Sequence, residues 1–219
     1  MPKEKVKCGL CGTKSHVSVV DDTGPFVLQD LDTRPAGLMP AAMSAWVQRC
    51  PKCGYCASDI RTRQEGAEAV IEGIEYKKQL DDHLYPYLAN SFICKALINC
   101  RAREYGGAAF AYIHAAWVCD DSNNDDRAAV CRQKAAEMLE IAEKYGQPVT
   151  EYRAEMTAVL ADLLRRAGRF EQAGQMIETR EKNDAGEEIE RILRFEAELI
   201  RKKDSSCRTI EEALNNMNN

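Results

Sequence analysis

The sequence predicts a mainly α fold with a small, turn-rich N-terminal region of short β strands. Three observations carry this. Two motifs of one form, Cys8-Gly-Leu-Cys11-Gly12 and Cys50-Pro-Lys-Cys53-Gly54, bracket the start of the chain. Turn-forming residues crowd the same stretch, with Pro25, Pro35, Pro40 and Pro51 alongside Gly9, Gly12, Gly24 and Gly37. Beyond about residue 61 only Pro86 and Pro148 remain, and apolar residues recur at helical spacing. The expected division is 1–60 for the cysteine-bearing region and 61–219 for antiparallel helical hairpins.

Within 1–60, alternating apolar residues predict strands over His16–Val20 and Ala45–Arg49. The second runs straight into the second cysteine pair. Beyond it, helices are expected over about 61–82, 87–104, 107–120, 126–145, 149–167, 170–182, 186–203 and 209–216. The apolar stripe Cys131, Ala135, Met138, Ala142, Tyr145 marks one of them, and Tyr152, Met156, Val159, Leu160, Leu163, Leu164 another. The helices over 87–104 and 107–120 are apolar nearly all round, so they should be the most buried. Their join is placed at Tyr105–Gly106–Gly107. At Ala167–Gly168–Arg169–Phe170 a helix ends on a residue suited to the left-handed cap, and the next begins two residues later. Leu160, Ala161, Ala173 and Ile177 fall at packing positions of a tetratricopeptide-like turn.

The two Cys-x-x-Cys-Gly motifs point to a closed metal site. Each is a tight turn that aims two sulfurs at one point, and the glycine accepts the backbone angles the turn needs. Four cysteine sulfurs, from Cys8, Cys11, Cys50 and Cys53, fit one structural zinc in a zinc-ribbon. The 38 residues between the pairs exceed the usual spacing. Loop closure grows only logarithmically, at about 0.6 kcal/mol per doubling, so the insertion is no obstacle. Cys53-Gly-Tyr-Cys56 overlaps the second motif, so Cys56, or His16, could replace a ligand. Cys56 is otherwise expected as a buried neighbour.

Other signals are weaker. Cys94, Cys100, Cys119 and Cys131 lie along apolar helix faces and read as core, and Cys207 reads as an exposed thiol. Asp121-Ser-Asn-Asn-Asp125 begins like a calcium loop, but Asp126 stands where glycine is required. It reads instead as an acidic loop in which Asn124 or Asp125 caps the next helix. His114, beside Trp117, reads as a satisfied core histidine. In Leu31-Asp32-Thr33-Arg34-Pro35, Asp32 and Arg34 either tie down the long insertion or form a recognition loop. No phosphate-binding glycine loop or nucleophile motif occurs.

Charge limits the partners. Residues 1–60 carry a formal +1 and the rest −6, and four zinc-bound thiolates would add about −2 to the first part. Such an acidic chain makes nucleic acid an unfavoured partner. No segment reads as a signal peptide or membrane span, which predicts a cytoplasmic protein. The order of Cys8-x-x-Cys11, Leu31-Asp-Thr-Arg-Pro35, Trp46-Val-Gln and Cys50-Pro-Lys-Cys53-Gly-Tyr55 resembles a bacterial family of unknown function that joins a split four-cysteine zinc-ribbon to tetratricopeptide-like helices. The resemblance implies that fold and a bacterial cytosolic setting, and no activity. The functional expectation is a non-catalytic zinc-binding protein that engages a protein or peptide. The alternatives are a thiol- or metal-responsive sensor, and a nucleic-acid-associated ribbon using Lys3, Lys5, Lys7, Lys14, Arg49, Lys52, Arg61 and Arg63.

Overall fold

A computed structural model describes residues 3–19, 30–35, 37, 40–147, 153–179 and 186–216. The protein is mainly α, with short antiparallel strands only near its N-terminus. The strands are β1 (Lys3–Lys7), β2 (Lys14–Ser18), β3 (Gln48–Arg49) and β4 (Cys56–Ala57). The helices are α1 (Pro40–Met43), α2 (Ala67–Glu72), α3 (Ile74–Leu80), α4 (Tyr87–Arg101), α5 (Tyr105–Asp121), α6 (Asp125–Lys144), α7 (Arg153–Arg166), α8 (Phe170–Thr179), α9 (Glu187–Arg201) and α10 (Ile210–Asn215). Tyr152, one of the residues of the apolar stripe expected before α7, lies outside the described residues.

The strand pattern differs from expectation in instructive ways. β1 went unread because Lys-Glu-Lys-Val-Lys offers a single apolar residue. Pairing with β2 sets Val6 and Val17 on one buried face, with lysines on the other. The strand expected over Ala45–Arg49 shrinks to Gln48–Arg49, since α1 and the turn that closes it carry the chain as far as Trp46. The helix expected over 61–82 starts only at Ala67 and breaks at Gly73, whose ψ of 150° is extended.

From α4 onward the helices stack as neighbours. α4 lies on α5, α5 on α6, α6 on α7, and α7 on both α8 and α9, with α10 against α9. One cap recurs at these joins. Arg103, Asn123, Gly146, Gly168 and Lys203 all have φ between 52° and 72°. In each case the next residue's N–H reaches back five residues, as in Glu104 N to Asn99 O (2.9 Å) and Arg169 N to Leu164 O (2.8 Å). Only two of the five caps use glycine, which hid the others. The α4–α5 turn is therefore at 102–104, and Tyr105-Gly106-Gly107 form the first turn of α5 rather than the join. Asn124 does occupy the N-cap of α6, but its side chain donates to the Leu84 carbonyl (2.9 Å) and caps nothing.

One apolar core runs without a gap from Val6, Val17, Met43 and Tyr55 to Phe92, Ile98, Ile113, Leu139 and Leu163. A second cluster joins Leu31 to Ala158, Leu193 and Ala213. Leu31 is brought there by a turn in which Leu31 N donates to Arg208 O (3.0 Å). Beside it, the carboxylate of Asp32 is fully buried. It accepts from Arg132 Nη2 of α6 (3.2 Å) and Arg166 Nη1 of α7 (2.5 Å). Both arginines also bind Asp120, with Arg132 Nη1 at 3.0 Å and Arg166 Nη2 at 2.9 Å, so two carboxylates and two guanidinium groups balance. Arg34 extends the set with a bidentate pair to Asp121 (2.8 and 2.9 Å).

His114 departs from its expected satisfied state. It sits among Trp46, Phe92 and Trp117 with ring centroids 4.9–5.2 Å away, and its Nδ1 has no partner among the described residues. Burial lowers its pKa from 6.5 to about 3, with Lys95 adding to the effect.

Three outcomes follow from these charged and titratable groups. Asp32→Ala leaves two buried guanidinium groups sharing the single carboxylate of Asp120 and should cost about 3–5 kcal/mol in urea denaturation. Lys202→Ala, which breaks an exposed pair with Glu198, should cost at most about 1 kcal/mol. The folded His114 stays neutral while the unfolded chain takes up a proton below pH 6.5. Stability therefore falls as pH drops from about 6.5 toward 3, by about 1.4 kcal/mol per pH unit from this residue. Denaturation midpoints of His114→Phe across that range should lack the same slope; an unchanged slope would remove His114 as its source.

Candidate metal centre

Each cysteine pair sits on a short turn held by its own backbone. In the first, Cys8 N donates to Thr13 O and Gly12 N to Cys8 O, both at 2.9 Å. In the second, Cys50 N donates to Tyr55 O (2.9 Å) and Gly54 N to Cys50 O (3.0 Å). The correspondence is position for position, and Gly12 and Gly54 share a φ of 72–73° that disfavours any side chain. These turns point N–H groups at sulfur. The backbone N–H groups of Leu10 and Cys11 favour ionisation of Cys8, that of Thr13 favours Cys11, and that of Tyr55 favours Cys53.

The two turns meet sulfur to sulfur. Cys8 Sγ lies 3.8 Å from Cys53 Sγ, and Cys11 Sγ 3.5 Å from Cys50 Sγ. All four sulfurs fall within 4.8 Å of one another. A tetrahedral ion with metal–sulfur bonds of about 2.3 Å needs sulfurs about 3.8 Å apart, so the cluster already has the size a single ion requires. Cys8 and Cys50 are buried, while Cys11 and Cys53 are half-exposed.

Protonation within the cluster suits a cation site. The Thr13 hydroxyl, helped by its backbone N–H and by Cys50, holds the Cys11 thiol down to about 6. Burial pushes Cys53 and Cys8 up, and neighbouring sulfurs oppose the ionisation of Cys53 further. One thiolate suppresses the next at this spacing, and a divalent ion removes the conflict.

The helical body fixes the turns in place. Tyr76 of α3 donates to Gly54 O (2.7 Å), and Tyr55 donates to Thr62 O (2.9 Å). Gly9 N donates to Ile60 O (2.8 Å), a strand-like approach so close that a Cβ on Gly9 would stand 2.5 Å from the Arg61 carbonyl oxygen. Thr13, Tyr76 and the need for glycine at position 9 were invisible in the sequence, because each depends on a segment distant in the chain or on an unremarkable residue type.

Cys56 and His16 stand outside the four-sulfur cluster. Cys56 is fully buried and its sulfur donates to Gly54 O (3.3 Å), whereas His16 is exposed on β2. Among the helical cysteines, Cys94 donates to Asn90 Oδ1 (3.5 Å) and Cys100 to the sulfur of Met138 (3.4 Å). Cys207 is exposed as a residue, but partial desolvation of its sulfur, together with the neighbouring acids Asp30 and Asp32, pushes its thiol up to about 12. The residues of the candidate recognition loop face inward, with Asp32 against α6 and α7 and Arg34 on Asp121. Of the eight basic residues singled out near the N-terminus, Lys3, Lys5, Lys7 and Lys14 share the outer face of β1–β2. Three others are engaged: Arg49 with Leu80 O and the Tyr87 ring, Arg61 with Asp59 and Glu4, and Arg63 with Glu68.

A family model matches residues 1–210, nearly the whole chain. The chain belongs to the family described as "Uncharacterized protein conserved in bacteria (DUF2225)". The match covers both knuckles, the Leu31–Arg34 turn and the helices through α9, so it spans the metal centre and its support together. No curated protein and no solved structure matches the chain. Among the described residues no helix is long and apolar enough to cross a membrane.

The Gly9 contact has a measurable consequence. Gly9→Ala should force the first knuckle away from residues 60–63 and so spread the four sulfurs. Its bound metal should be lost to a chelator at least about tenfold faster than that of the unsubstituted protein. Equal rates of metal loss would show that the close approach is not needed for the site.

Proposed function

We propose that this protein is a non-catalytic, cytoplasmic zinc-binding protein whose zinc-ribbon holds one structural ion and whose tetratricopeptide-like helices receive a protein or peptide. The observation that carries the metal reading is the convergence of Cys8, Cys11, Cys50 and Cys53 at tetrahedral spacing. Four thiolates suit a soft divalent ion and leave no coordination position for a substrate, which supports a structural role. Zinc in such a site contributes on the order of 10–16 kcal/mol to folding at neutral pH, enough to order a region with little apolar core of its own.

The interaction part rests on a groove of about 340 Å³ between α6 and α8. Gln133, Glu137, Gln175 and Met176 line it, a mix of amides, a carboxylate and an adaptable thioether suited to an extended peptide. The sensor alternative draws less support, since Cys56, Cys94, Cys119 and Cys131 are buried away from oxidants and Cys100 is half-buried, which leaves Cys207 as its one exposed thiol.

Metal analysis of the purified native protein should give about one zinc per chain. Cys50→Ser should abolish binding and Cys56→Ala should leave it intact. In the native protein, Cys8, Cys11, Cys50 and Cys53 should resist alkylation until the zinc is chelated. A metal-free native protein, or zinc that survives Cys50→Ser but not Cys56→Ala, would overturn the assignment. For the groove, Met176→Glu should abolish capture of a peptide that the unsubstituted protein selects from a displayed peptide library. Retained capture, or no peptide selected at all, would remove the interaction reading while leaving the zinc reading standing.

A further inference from the structure

A cleft of about 590 Å³ opens where the segment 57–65 meets α4 and the first turn of α5. Its size is that of a pocket for a small organic molecule. Two donors in its lining have no acceptor among the described residues.

The first is Lys95. Its side chain is half-buried in the cleft wall, yet among the described residues it makes no ion pair and donates no hydrogen bond. Burial lowers its pKa, and Glu104, acting from beyond pairing distance, only partly offsets this. The ammonium is thus a desolvated charge without an adjacent counter-ion.

The second is the amide of Asn99, a residue only 5% exposed. Its orientation follows from its neighbour. Gln64 Nε2 donates to Glu104 Oε2 (2.8 Å), which fixes the Gln64 amide, and the same nitrogen donates to Asn99 Oδ1 (3.1 Å). The Asn99 oxygen must therefore face Gln64, and its NH₂ group is left undonated. Gly107 makes room for that group, since a Cβ there would stand 3.0 Å from Asn99 Nδ2.

Two other charges of the lining are already paired, while Glu65 and Glu104 make no ion pair among the described residues. Arg63 pairs with Glu68 (2.6 Å) and Asp59 with Arg61 (2.9 Å), leaving Glu65 exposed among the cleft residues. One unpaired cation beside one unpaired amide donor matches an anion with a single charge and two acceptor oxygens. Glu65 and Glu104 oppose a doubly charged phosphate.

We propose that this cleft binds the carboxylate of a small organic acid, with Lys95 supplying the charge and Asn99 the directional hydrogen bond. The reading is independent of what the metal centre or the α6–α8 groove does. The zinc-loaded protein lends itself to a direct test by side-chain amide NMR, with acetate as probe. Sodium acetate titrated against sodium chloride at matched ionic strength should shift the Asn99 NH₂ resonances saturably, with a Kd on the order of millimolar for so small a ligand. Lys95→Met keeps the apolar stem and should weaken binding by at least about tenfold. Gly107→Ala, which crowds the amide while leaving the charge, should weaken it too. Failure of acetate to shift Asn99 in the unsubstituted protein, which needs no variant to fold, would overturn the proposal. Unchanged affinity in a folded Lys95→Met would overturn it as well, as would tighter binding of inorganic phosphate than of acetate.

Discussion

Four thiols within 4.8 Å of one another cannot all ionise unless a cation joins them, and this constraint organises the N-terminal third of the chain. The two knuckles are separated by 38 residues. Their approach is therefore decided by the sulfurs and by whatever presses the turns together. The pressing comes from the helical body. Tyr76 reaches Gly54, the segment 60–63 packs onto Gly9, and Leu80 crowds Gly54 so closely that a Cβ there would meet its Cδ2 at 2.4 Å. Cluster and helices are mutually dependent, and the continuous core between Val6 and Leu163 is the packing expression of that dependence.

The long insertion between the knuckles is handled differently. It sends Leu31 into an apolar cluster and Asp32 into a fully buried set of charges. A buried carboxylate is expensive unless it is paired, and here it is paired twice, by arginines on two successive helices. Buried ion pairs in general contribute little net stability, but this one fixes register. Asp32 fits only where Arg132 and Arg166 converge, so the insertion has one docking position on the helices.

The helical layer is built from one repeated device. Five joins end in a left-handed residue with the same returning hydrogen bond, although arginine, asparagine and lysine occupy three of those positions. A non-glycine residue pays about 1–2 kcal/mol in that conformation, and tight antiparallel packing of neighbours such as α4 and α5 recovers it. The join between α4 and α5 also gives the molecule its polar cleft. It sets Asn99 near the end of one helix against Gly107 near the start of the next, with Lys95 one turn earlier on α4.

Much of this was legible from sequence alone. The paired Cys-x-x-Cys-Gly motifs identified the four converging sulfurs because such turns are local, set by residues three apart. The helices from α4 to α10 were legible because apolar spacing is local too, and their boundaries fell within a few residues. Contacts between distant segments were not legible. A lone valine among lysines becomes a strand only when β2 pairs with it. Gly73 breaks the helix between α2 and α3, and the Tyr76 that follows it reaches Gly54. Asp32 looks like any loop aspartate until Arg132 and Arg166, 100 and 134 residues away, close on it. Local propensity and ligand spacing are written in consecutive residues, whereas the burial of a charge and the orientation of an amide are settled by which segments the fold brings face to face.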